Sequence, residues 1–463
     1  MAEPTRMFTD RYGLKDSHTL AVAEQAGAYA QARRVMTTMT PDAIKAEVKA
    51  ANIRGRGGAG FPAGMKWGFL PPKSEKPVYL VINADEGEPG TFKDRTIMEL
   101  DPHRLLEGCM MAMFAIGAHV TYIYVRCELV TSIKRLEQGI RDLRAKGYLG
   151  ARPFGVNHPL EIHVHPGAGA YICGEETALL NSLEGMRGEP RLKPPFPAVA
   201  GAFGMPTIVN NVETIASVPD ILKMGGAAWS NLSRLPNDGG TRLYGLSGHV
   251  KKPGIWEAPV GLTLREMIYD FGGGPLDEKR PIKGVIPGGS STPILRPSDV
   301  VNAPDDKHPM FKWHGKSHLD VPMGVDTMRG LGTMLGTNCA TVLDSSVNMV
   351  EAARNLMRFY HHESCGQCTP CREGTGWLAE VCDRLCEGKG TVADVDLLVD
   401  ISNNMMGNTI CALADGTAMP MLAFVRKYRE EFLDAAKNGV RGRLDAAVAA
   451  SLTGASGLSG RTL

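Results

Sequence analysis

The sequence has no excess of charge of either sign. Its 51 Lys and Arg residues are balanced by 50 Asp and Glu, which leaves a formal net charge of +1 over 463 residues. A protein that holds a nucleic-acid backbone needs a basic surface to neutralise the phosphates. We therefore expect no nucleic-acid partner.

Long uncharged runs and an apolar leader are also missing. The most apolar stretch, 105–125, is interrupted by Glu107, His119 and two glycines, which argues against a membrane span. The first residues, 1–20, mix acids and bases around no apolar centre, so neither a secretory signal nor an Arg-rich transit peptide is expected. These absences predict a protein of a reducing compartment.

Alternating strand and helix patterns dominate the first part of the chain and indicate a parallel sheet covered by helices. We predict strands at 78–82, 119–125 and 160–164, and helices at 105–116, 129–146 and 171–183. In such sheets ligands bind beyond the carboxyl ends of the strands. The segments after Ile82 and after Val164 are therefore the expected ligand loops.

Two further regions follow a polar linker at 234–241. Strands at 243–250 and 282–286, with a capping-box pattern at Thr263 and Glu266 between them, predict a small α+β module. Strand patterns end at about Gly336, and helices are predicted at 346–360, 375–386, 392–404 and 417–436. The expected domains are an α/β domain at 1–240, a small domain at 241–335, a helical domain at 336–438 and a mobile tail at 439–463.

Three of the ten cysteines form a C-x2-C-x2-C run, at Cys365, Cys368 and Cys371. Spacers of this length let one loop present three thiolates to a metal centre, as is common for four-iron clusters. Clustered cysteines in a reducing compartment indicate metal binding or redox chemistry, so a disulfide framework is not expected. A structural zinc site is the alternative interpretation of the run.

The fourth ligand has to come from elsewhere in the chain. The candidates are Cys411, in a loop before the last predicted helix, and the pair Cys382 and Cys386, four residues apart on one helical face. We favour Cys411 because a loop cysteine can be aimed at a metal, whereas the helical pair suits core packing.

A glycine-rich segment, 54–67, contains a formal G-x-G-x-x-G pattern at Gly55, Gly57 and Gly60. It follows a predicted helix instead of a strand, so it does not indicate a Rossmann fingerprint. The segment predicts a bare backbone that a flat or anionic ligand can approach closely, with Lys66 supplying charge. A tight loop packed on the sheet is the alternative.

Five carboxylates crowd the two expected ligand loops: Asp85, Glu86, Glu88, Glu175 and Glu176. Carboxylates accept hydrogen bonds from ribityl or ribose hydroxyls and repel the 2'-phosphate of NADPH, so this acidity favours NADH. A glycosidase-like acid pair or a divalent-metal site is the alternative. The lysine and the aromatic rings of the glycine-rich segment argue against it, because they suit a stacked ring better than a sugar that is hydrolysed.

Four motifs, in this order, together resemble the flavin-binding, NADH-oxidising subunit of respiratory complex I. They are RGRGGAGFP at 54–62, NADEGEPGTF at 83–92, GAGAYICGEETAL at 167–179 and ESCGQCTPCREG at 363–374. The resemblance runs from about Arg54 to Phe424. It implies an α/β protein with a Rossmann-like flavin domain, a small ubiquitin-like β-grasp domain and a C-terminal four-helix bundle that carries the cluster.

The resemblance also implies roles for single residues. Those implied to hold FMN are Gly55, Gly57, Lys66, Asn83, Asp85, Glu175, Asn210, Asn211 and Thr214. Those implied to receive NADH are Phe61, Phe69, Glu88, Glu176 and Phe196, with the phenylalanines around the adenine. The implied ligands of a 4Fe-4S cluster are Cys365, Cys368, Cys371 and Cys411. Gln367 departs from the bulkier residue expected inside the cysteine run, and this difference would alter hydrogen bonding around the cluster without removing a ligand.

The implied activity is that of the NADH-oxidising part of an NADH:quinone oxidoreductase, in which FMN accepts a hydride and the cluster takes electrons singly. No catalytic acid or base is expected among the side chains, because the hydride goes to the flavin itself. The implied partners are a small thioredoxin-like 2Fe-2S subunit and a large multi-cluster iron-sulfur subunit. The implied location is the cytoplasmic side of a bacterial inner membrane, or the matrix side in an organelle, with membrane contact only through the complex.

Two alternatives remain at this point. The diaphorase subunits of NAD-linked hydrogenases and formate dehydrogenases look similar, but they usually carry an added N-terminal iron-sulfur domain. The short segment before Pro41 leaves no room for such a domain, so complex I is preferred. The alternative from another class is a non-catalytic, zinc-bearing scaffold.

Overall fold

A computed structural model describes residues 5–71 and 75–440 of the chain. Three regions follow one another in it: a parallel sheet with helices, a smaller mixed sheet, and a group of packed helices. The predicted tail at 439–463 lies outside the described residues, except for its first two positions. No helix in the described ranges is both long and apolar enough to cross a membrane.

The first region is built on four parallel strands in the order β3-β2-β1-β4. The strands are β1 (Val78–Ala84), β2 (Ala118–Val125), β3 (Glu161–Pro166) and β4 (Thr207–Asn211). Its helices are α1 (Leu20–Gln25), α2 (Ala30–Thr38), α3 (Pro41–Ala50), α4 (Ala63–Trp67), α5 (Lys93–Leu100), α6 (Pro102–Ile116), α7 (Val130–Ala145), α8 (Glu176–Leu183), α9 (Val212–Ala216), α10 (Val218–Met224) and α11 (Gly226–Ser230). The predicted strands and the first two predicted helices are confirmed within a few residues.

The helix predicted at 171–183 is divided in two. Tyr171–Gly174 forms a 3-10 turn, and α8 begins only at Glu176 because the backbone of Glu175 is extended, with ψ 132°. The Glu175 side chain accepts hydrogen bonds from the N–H groups of Thr177 and Ala178 and thereby caps α8. Glu175, which was expected to lie inside a helix, is therefore the N-cap residue of α8.

The strand register brings the loops together. Ile82 of β1 pairs with Ile123 of β2 on one side and with Asn210 of β4 on the other, and Ile123 pairs with Val164 of β3. Because all four strands are parallel, their carboxyl ends meet at one edge of the sheet. The segments predicted as ligand loops start at this edge.

The second region is a mixed sheet in the order β6-β5-β8-β7. Its elements are β5 (Thr241–Gly248), β6 (Gly254–Pro259), α12 (Leu264–Glu266), β7 (Ile282–Ile286), α13 (Val325–Gly330) and β8 (Cys339–Asp344). Thr263 and Glu266 form the predicted capping box. The expectation that strands end at about Gly336 is wrong, because β8 runs between β5 and β7. The six residues of β8 are mostly buried and lack the alternating pattern that predicts a strand. Pairing with a neighbour on each side stabilises them as a strand.

The third region contains α14 (Met349–Glu363), α15 (Thr369–Cys386), α16 (Val392–Met405), α17 (Leu413–Lys427) and α18 (Arg429–Asn438). Helices α14 to α17 pack side by side, and α17 also contacts α14. The helix predicted at 417–436 is two helices, because Tyr428 leaves the helical backbone conformation with φ −126°. The helix predicted to begin at Thr375 begins at Thr369, which places Cys371 in its first turn.

Helix α6 passes through the centre of the first region and is buried on nearly all sides. Asp101 caps its start by accepting the N–H of Arg104 at 3.1 Å, and Gly117, with φ +72°, ends it. Helix α9 packs directly against it. A Cβ built on Gly108 would lie only 2.1 Å from the carbonyl oxygen of Ile215. The two backbones therefore require glycine at this contact.

We expect Gly108→Ala to lower the free energy of unfolding by about 2 kcal/mol or more. The new methyl group would clash with the backbone of α9, which cannot move aside as the flexible end of a side chain can. The control is Gly139→Ala in α7, where the new Cβ would meet the flexible end of Leu106 at 2.9 Å. Chemical denaturation of the full chain measures both variants. Equal losses in the two variants would contradict the proposed backbone contact.

Candidate active site

A cavity of about 660 Å³ lies where the three regions meet. All residues predicted to hold FMN or NADH line it: Gly55, Gly57, Phe61, Lys66, Phe69, Asn83, Asp85, Glu88, Glu175, Glu176, Phe196, Asn210, Asn211 and Thr214. Ser291 and Thr337 of the second region and Leu413 and Asp415 of the third also line it. These four residues carry no signal in the sequence, since only tertiary packing brings them here.

The glycine-rich segment forms a closed loop over this cavity. The N–H of Gly55 donates to the carbonyl of Phe61 at 2.9 Å, and α4 begins directly after the loop. A Cβ on Gly57 would lie 3.1 Å from the Cβ of Asn211, and Gly58 has φ +121°. The loop therefore presents bare backbone to the cavity, as a flat or anionic ligand requires.

Arg56, inside this loop, is buried and holds the loop in place. Its guanidinium donates to Asp238 at 2.8 Å and to the carbonyls of Gly239 and Thr241 at 3.0 Å. Its backbone N–H donates to Oγ1 of Thr214 at 2.9 Å. The predicted linker at 234–241 is thus part of the packed structure at these residues.

Two of the five predicted carboxylates serve as helix caps. Glu86 accepts the N–H groups of Asp94 at 2.8 Å and Arg95 at 2.9 Å, at the start of α5. Burial and the neighbouring Asp94 raise the pKa of Glu86. Glu175 caps α8 and also accepts Nζ of Lys193 at 2.9 Å. Both carboxylates line the cavity but already have partners.

Glu88 joins the three regions. Its carboxylate accepts the hydroxyl of Tyr171 at 2.5 Å and the N–H of Ser291, in the second region, at 2.7 Å. The N–H of Tyr171 in turn donates to Glu363, the last residue of α14, at 2.9 Å. A Cβ on Gly289 would lie 2.5 Å from Glu88, so the contact is closely packed.

Glu176 is held between two lysines. Lys66 lies 2.8 Å and Lys193 3.1 Å from its carboxylate. Burial alone would raise the pKa of Glu176, but the two ammonium groups hold it below its usual value, so the group is ionised near neutrality. Lys193 was not predicted from the sequence, where its only signal is its place three residues before the predicted Phe196.

Asp85 is the exception among the five carboxylates. Its side chain is buried, and within the described part of the chain neither Oδ1 nor Oδ2 has a hydrogen-bond partner. Burial raises its pKa to about 7. A buried, unsatisfied carboxyl group in a cavity wall fits a ligand with hydroxyl groups, such as a ribityl chain.

Three exposed phenylalanines also line the cavity. Phe61, Phe69 and Phe196 are 45%, 55% and 57% exposed, and the rings of Phe61 and Phe69 lie 5.7 Å apart at 44°. Exposed aromatic rings grouped at a cavity are typical of a site that stacks a flat base. The structure thus places apolar faces beside the charged cluster of Lys66 and Glu176.

Four cysteines line a second, smaller cavity beside the first: Cys365, Cys368, Cys371 and Cys411. Burial raises the pKa of Cys411 to about 11 and also raises that of Cys371, on which the neighbouring thiols act as well. In the described ranges no group of three or more His, Cys, Asp or Glu side chains is spaced to hold a metal ion. Four thiols that line one cavity are nevertheless the ligand set typical of a 4Fe-4S cluster.

The two cavities share a wall. Ile172, Cys411 and Leu413 line both of them. Cys382 and Cys386, the other candidates for a fourth ligand, are buried in the core of the helical region and do not line the second cavity. The expectation that this pair packs in the core is confirmed.

Three protein-family profiles match separate parts of the chain. They are the Nuo51 FMN-binding domain over 48–220, the SLBB domain over 243–295 and the NADH-ubiquinone oxidoreductase-F iron-sulfur binding region over 351–435. An NADH-quinone oxidoreductase F subunit, designated 2, of Rhizobium meliloti (strain 1021) is 48% identical over 418 residues, which cover 90% of this chain and 94% of the relative. The chain belongs to the family of NADH-quinone oxidoreductase F subunits.

Further comparisons agree with this membership. The NADH-quinone oxidoreductase F subunit of Mycobacterium bovis (strain ATCC BAA-935 / AF2122/97) is 46% identical over 430 residues, or 92% of each chain. The crystal structure of an NAD+-reducing NiFe hydrogenase in the H2-reduced state matches with a TM-score of 0.76 and 32% identity, covering 91% of this chain and 68% of that chain. The family profiles over 48–220 and 351–435 confirm the predicted flavin and iron-sulfur regions.

A buried ion cluster lies under the cavity. Nζ of Lys93 is 2.8 Å from both Asp94 and Glu213, and 3.4 Å from Oδ1 of Asn211, which lines the cavity. Glu213 also accepts the N–H of Leu243, in β5, at 2.8 Å. Burial alone would raise the pKa of Glu213, but Lys93 and Arg56 hold it below its usual value. The cluster thus ties the cavity floor to the second region.

We expect Lys93→Met to lower the free energy of unfolding by about 3–5 kcal/mol at neutral pH, because buried Asp94 and Glu213 both lose an ion pair and Glu213 keeps only its weaker attraction to arginines. Without Lys93 the folded-state pKa of Glu213 should rise above its unfolded value. The loss is then largest above that raised pKa and shrinks as the pH falls through it.

Chemical denaturation at two pH values checks this expectation. The control is Arg95→Met, at a neighbouring side chain that is 52% exposed, for which we expect a change of no more than about 0.5 kcal/mol. A loss in Lys93→Met that grows as the pH falls would contradict the assigned role.

Proposed function

We propose that the chain oxidises NADH on an FMN held in the 660 Å³ cavity and passes the electrons to a 4Fe-4S cluster held by the four cysteines. One observation carries this proposal: Ile172, Cys411 and Leu413 belong to the walls of both cavities. A cluster ligand in the wall of the flavin site leaves only a short gap for electrons to cross. The chain would serve as the NADH dehydrogenase part of a quinone-reducing complex.

The domain arrangement that we propose follows the three regions. The first would be a Rossmann-like flavin domain, the second a ubiquitin-like β-grasp domain, and the third a four-helix bundle that holds the cluster. The strand order β6-β5-β8-β7 and the packing of α14 to α17 support this arrangement. Since β8 belongs to the second sheet, we place the second border between Asp344 and Met349 instead of at 335/336.

The proposed flavin contacts combine bare backbone with polar groups. Gly55 and Gly57 would let the ligand approach the loop, and Lys66 would supply positive charge. Trp67 donates to Oδ1 of Asn210 at 2.9 Å, so the amide oxygen is occupied and the NH2 group serves as a donor. Hydroxyl groups of the ligand would donate to Asp85. We assign Asn83, Glu175, Asn211 and Thr214 to the same set.

The proposed NADH contacts lie beside them. Phe61, Phe69 and Phe196 would enclose the adenine, and Glu88 and Glu176 would bind polar parts of the dinucleotide. When bound, the flavin accepts the hydride and the cluster takes the electrons one at a time. The chain's own part is to orient both groups, while the apolar side chains in the shared wall exclude water. We assign no side chain as a catalytic acid or base.

The hydrogenase diaphorase alternative has weaker support. The hydrogenase structure is 32% identical and this chain covers 68% of it, against 48% identity and 94% coverage for the Rhizobium relative. The match to an iron-sulfur binding region likewise favours a cluster over a zinc scaffold. We propose as partners a small thioredoxin-like 2Fe-2S subunit and a large multi-cluster subunit. The proposed location is the cytoplasmic or matrix side of the energy-transducing membrane.

Cofactor analysis tests the proposal directly. The full chain, purified without oxygen, should release FMN and contain about four iron and four acid-labile sulfide per chain. Cys411→Ser should lose most of the iron and keep the flavin, because serine retains the shape of the shared wall. Cys382→Ala, in the bundle core, is the control and should keep its iron. A colourless wild-type chain without iron would refute the proposed function.

Substrate choice provides a second test. Glu176→Gln removes one negative charge and keeps the side-chain size, so we expect the ratio of kcat/KM for NADH over NADPH to fall by about tenfold. Steady-state reduction of an artificial acceptor measures the ratio. Glu189→Gln, at a residue that does not line the cavity, is the control. An unchanged ratio in Glu176→Gln would remove this residue from the specificity determinants.

A further inference from the structure

One charged pair behind the cavity has no role in the function proposed above. Arg126 follows directly after β2, and one of its guanidinium nitrogens, Nη2, lies 2.9 Å from Glu128. The other, Nη1, is buried and has no hydrogen-bond partner among the residues that the structure describes. A Cβ on Gly87 would lie 2.6 Å from Nη1, so the guanidinium packs against the loop that carries Asp85.

Arg126 and Asp85 are coupled through their charges. The positive charge of Arg126 opposes the burial that raises the pKa of Asp85, whereas Glu128 and Glu363 act with burial. Two further titratable groups, Tyr124 of β2 and Cys173 of the 3-10 turn, also interact with Asp85. Among these five groups Arg126 alone favours the ionised carboxylate. Burial has the largest effect on the pKa of Asp85, and the charge of Arg126 is the influence that lowers it.

We propose that Asp85 couples flavin binding to the release of one proton, and that Arg126 is the positioning residue that sets the pH at which this happens. The proposal rests on the assignment of the cavity as the flavin site. Without the flavin, no residue in the described ranges donates to the buried carboxyl group, which favours the neutral acid. Hydroxyl groups of a bound flavin would donate to the carboxylate and favour the ionised form. The proton leaves to solvent.

The direction of the pH dependence follows from the difference between the pKa of Asp85 without flavin and its pKa with flavin bound. The carboxyl group has a pKa of about 7 in the empty site. Binding lowers it, so the flavin binds the ionised form more tightly. The dissociation constant for FMN is then constant above the pKa of the empty site. It rises by up to about tenfold per pH unit below that value, until the pKa of the bound state is reached.

The experiment measures FMN binding by the deflavinated full chain, from the quenching of flavin fluorescence across the pH range. The phosphate of FMN also titrates, near pH 6, so the wild type is compared with Asp85→Asn. This variant keeps the side-chain shape and removes the titrating carboxyl. We expect the break near neutral pH to be absent in Asp85→Asn.

Two neighbouring variants should move the break in opposite directions. Arg126→Gln should shift it upward by about one pH unit, because the charge that favours the carboxylate is lost. Glu128→Gln should shift it downward, because the opposing charge is lost. Arg126→Lys should keep the wild-type value. A residue that acted only on the structure would not produce shifts of opposite sign.

The outcomes separate this proposal from the proposed function. If FMN binds but Asp85→Asn keeps the same break, or if Arg126→Gln and Glu128→Gln shift it in the same direction, the proton linkage is wrong and the flavin site stands. If no FMN binds to the wild type at any pH, the flavin site itself is wrong. Should Arg126→Gln fail to fold, the loss of the break in Asp85→Asn and its downward shift in Glu128→Gln decide the question.

Discussion

The active-site cavity depends on buried charges that cross between regions of the chain. Lys93 binds Glu213, which in turn accepts a backbone N–H of β5, and Arg56 binds Asp238 and two carbonyls at the start of the second region. A buried charge is costly unless its partners are correctly placed, so each pair fixes one relative position of the regions. Since residues of the first and second regions line the cavity, these pairs fix the part of its wall that the two regions form.

The pairing of charges also explains why so acidic a wall can remain folded. Glu86 and Glu175 satisfy the free N–H groups of helix ends, Glu88 accepts from Tyr171 and Ser291, and Glu176 lies between two lysines. These carboxylates therefore stabilise the loops as well as lining the ligand cavity. Asp85 alone lacks a partner in the described residues, which makes it the group most sensitive to what enters the cavity.

Much of this site follows from the sequence because its determinants are local. A parallel sheet brings the ends of β1 and β3 to one edge, so the loops after Ile82 and Val164 are predictable without a structure. The cysteine run is also predictable, because its three thiols lie within seven consecutive residues. By contrast, β8 is a strand because β5 and β7 flank it, and Thr337 reaches the cavity only through that pairing. Such contacts have no pattern within a short window of sequence.

The wall shared by the two cavities limits how far either site can change. Cys411 lies in a turn where Thr409 donates to its carbonyl at 3.0 Å, and Asp415 accepts the N–H of Gly407 at 2.9 Å. Leu413, two residues on, is buried and starts α17. A shift of this turn would move a proposed cluster ligand and the flavin wall together. Gln367 lines only the smaller cavity and is exposed, so substitution there is free to adjust the surroundings of the cluster without disturbing the flavin site.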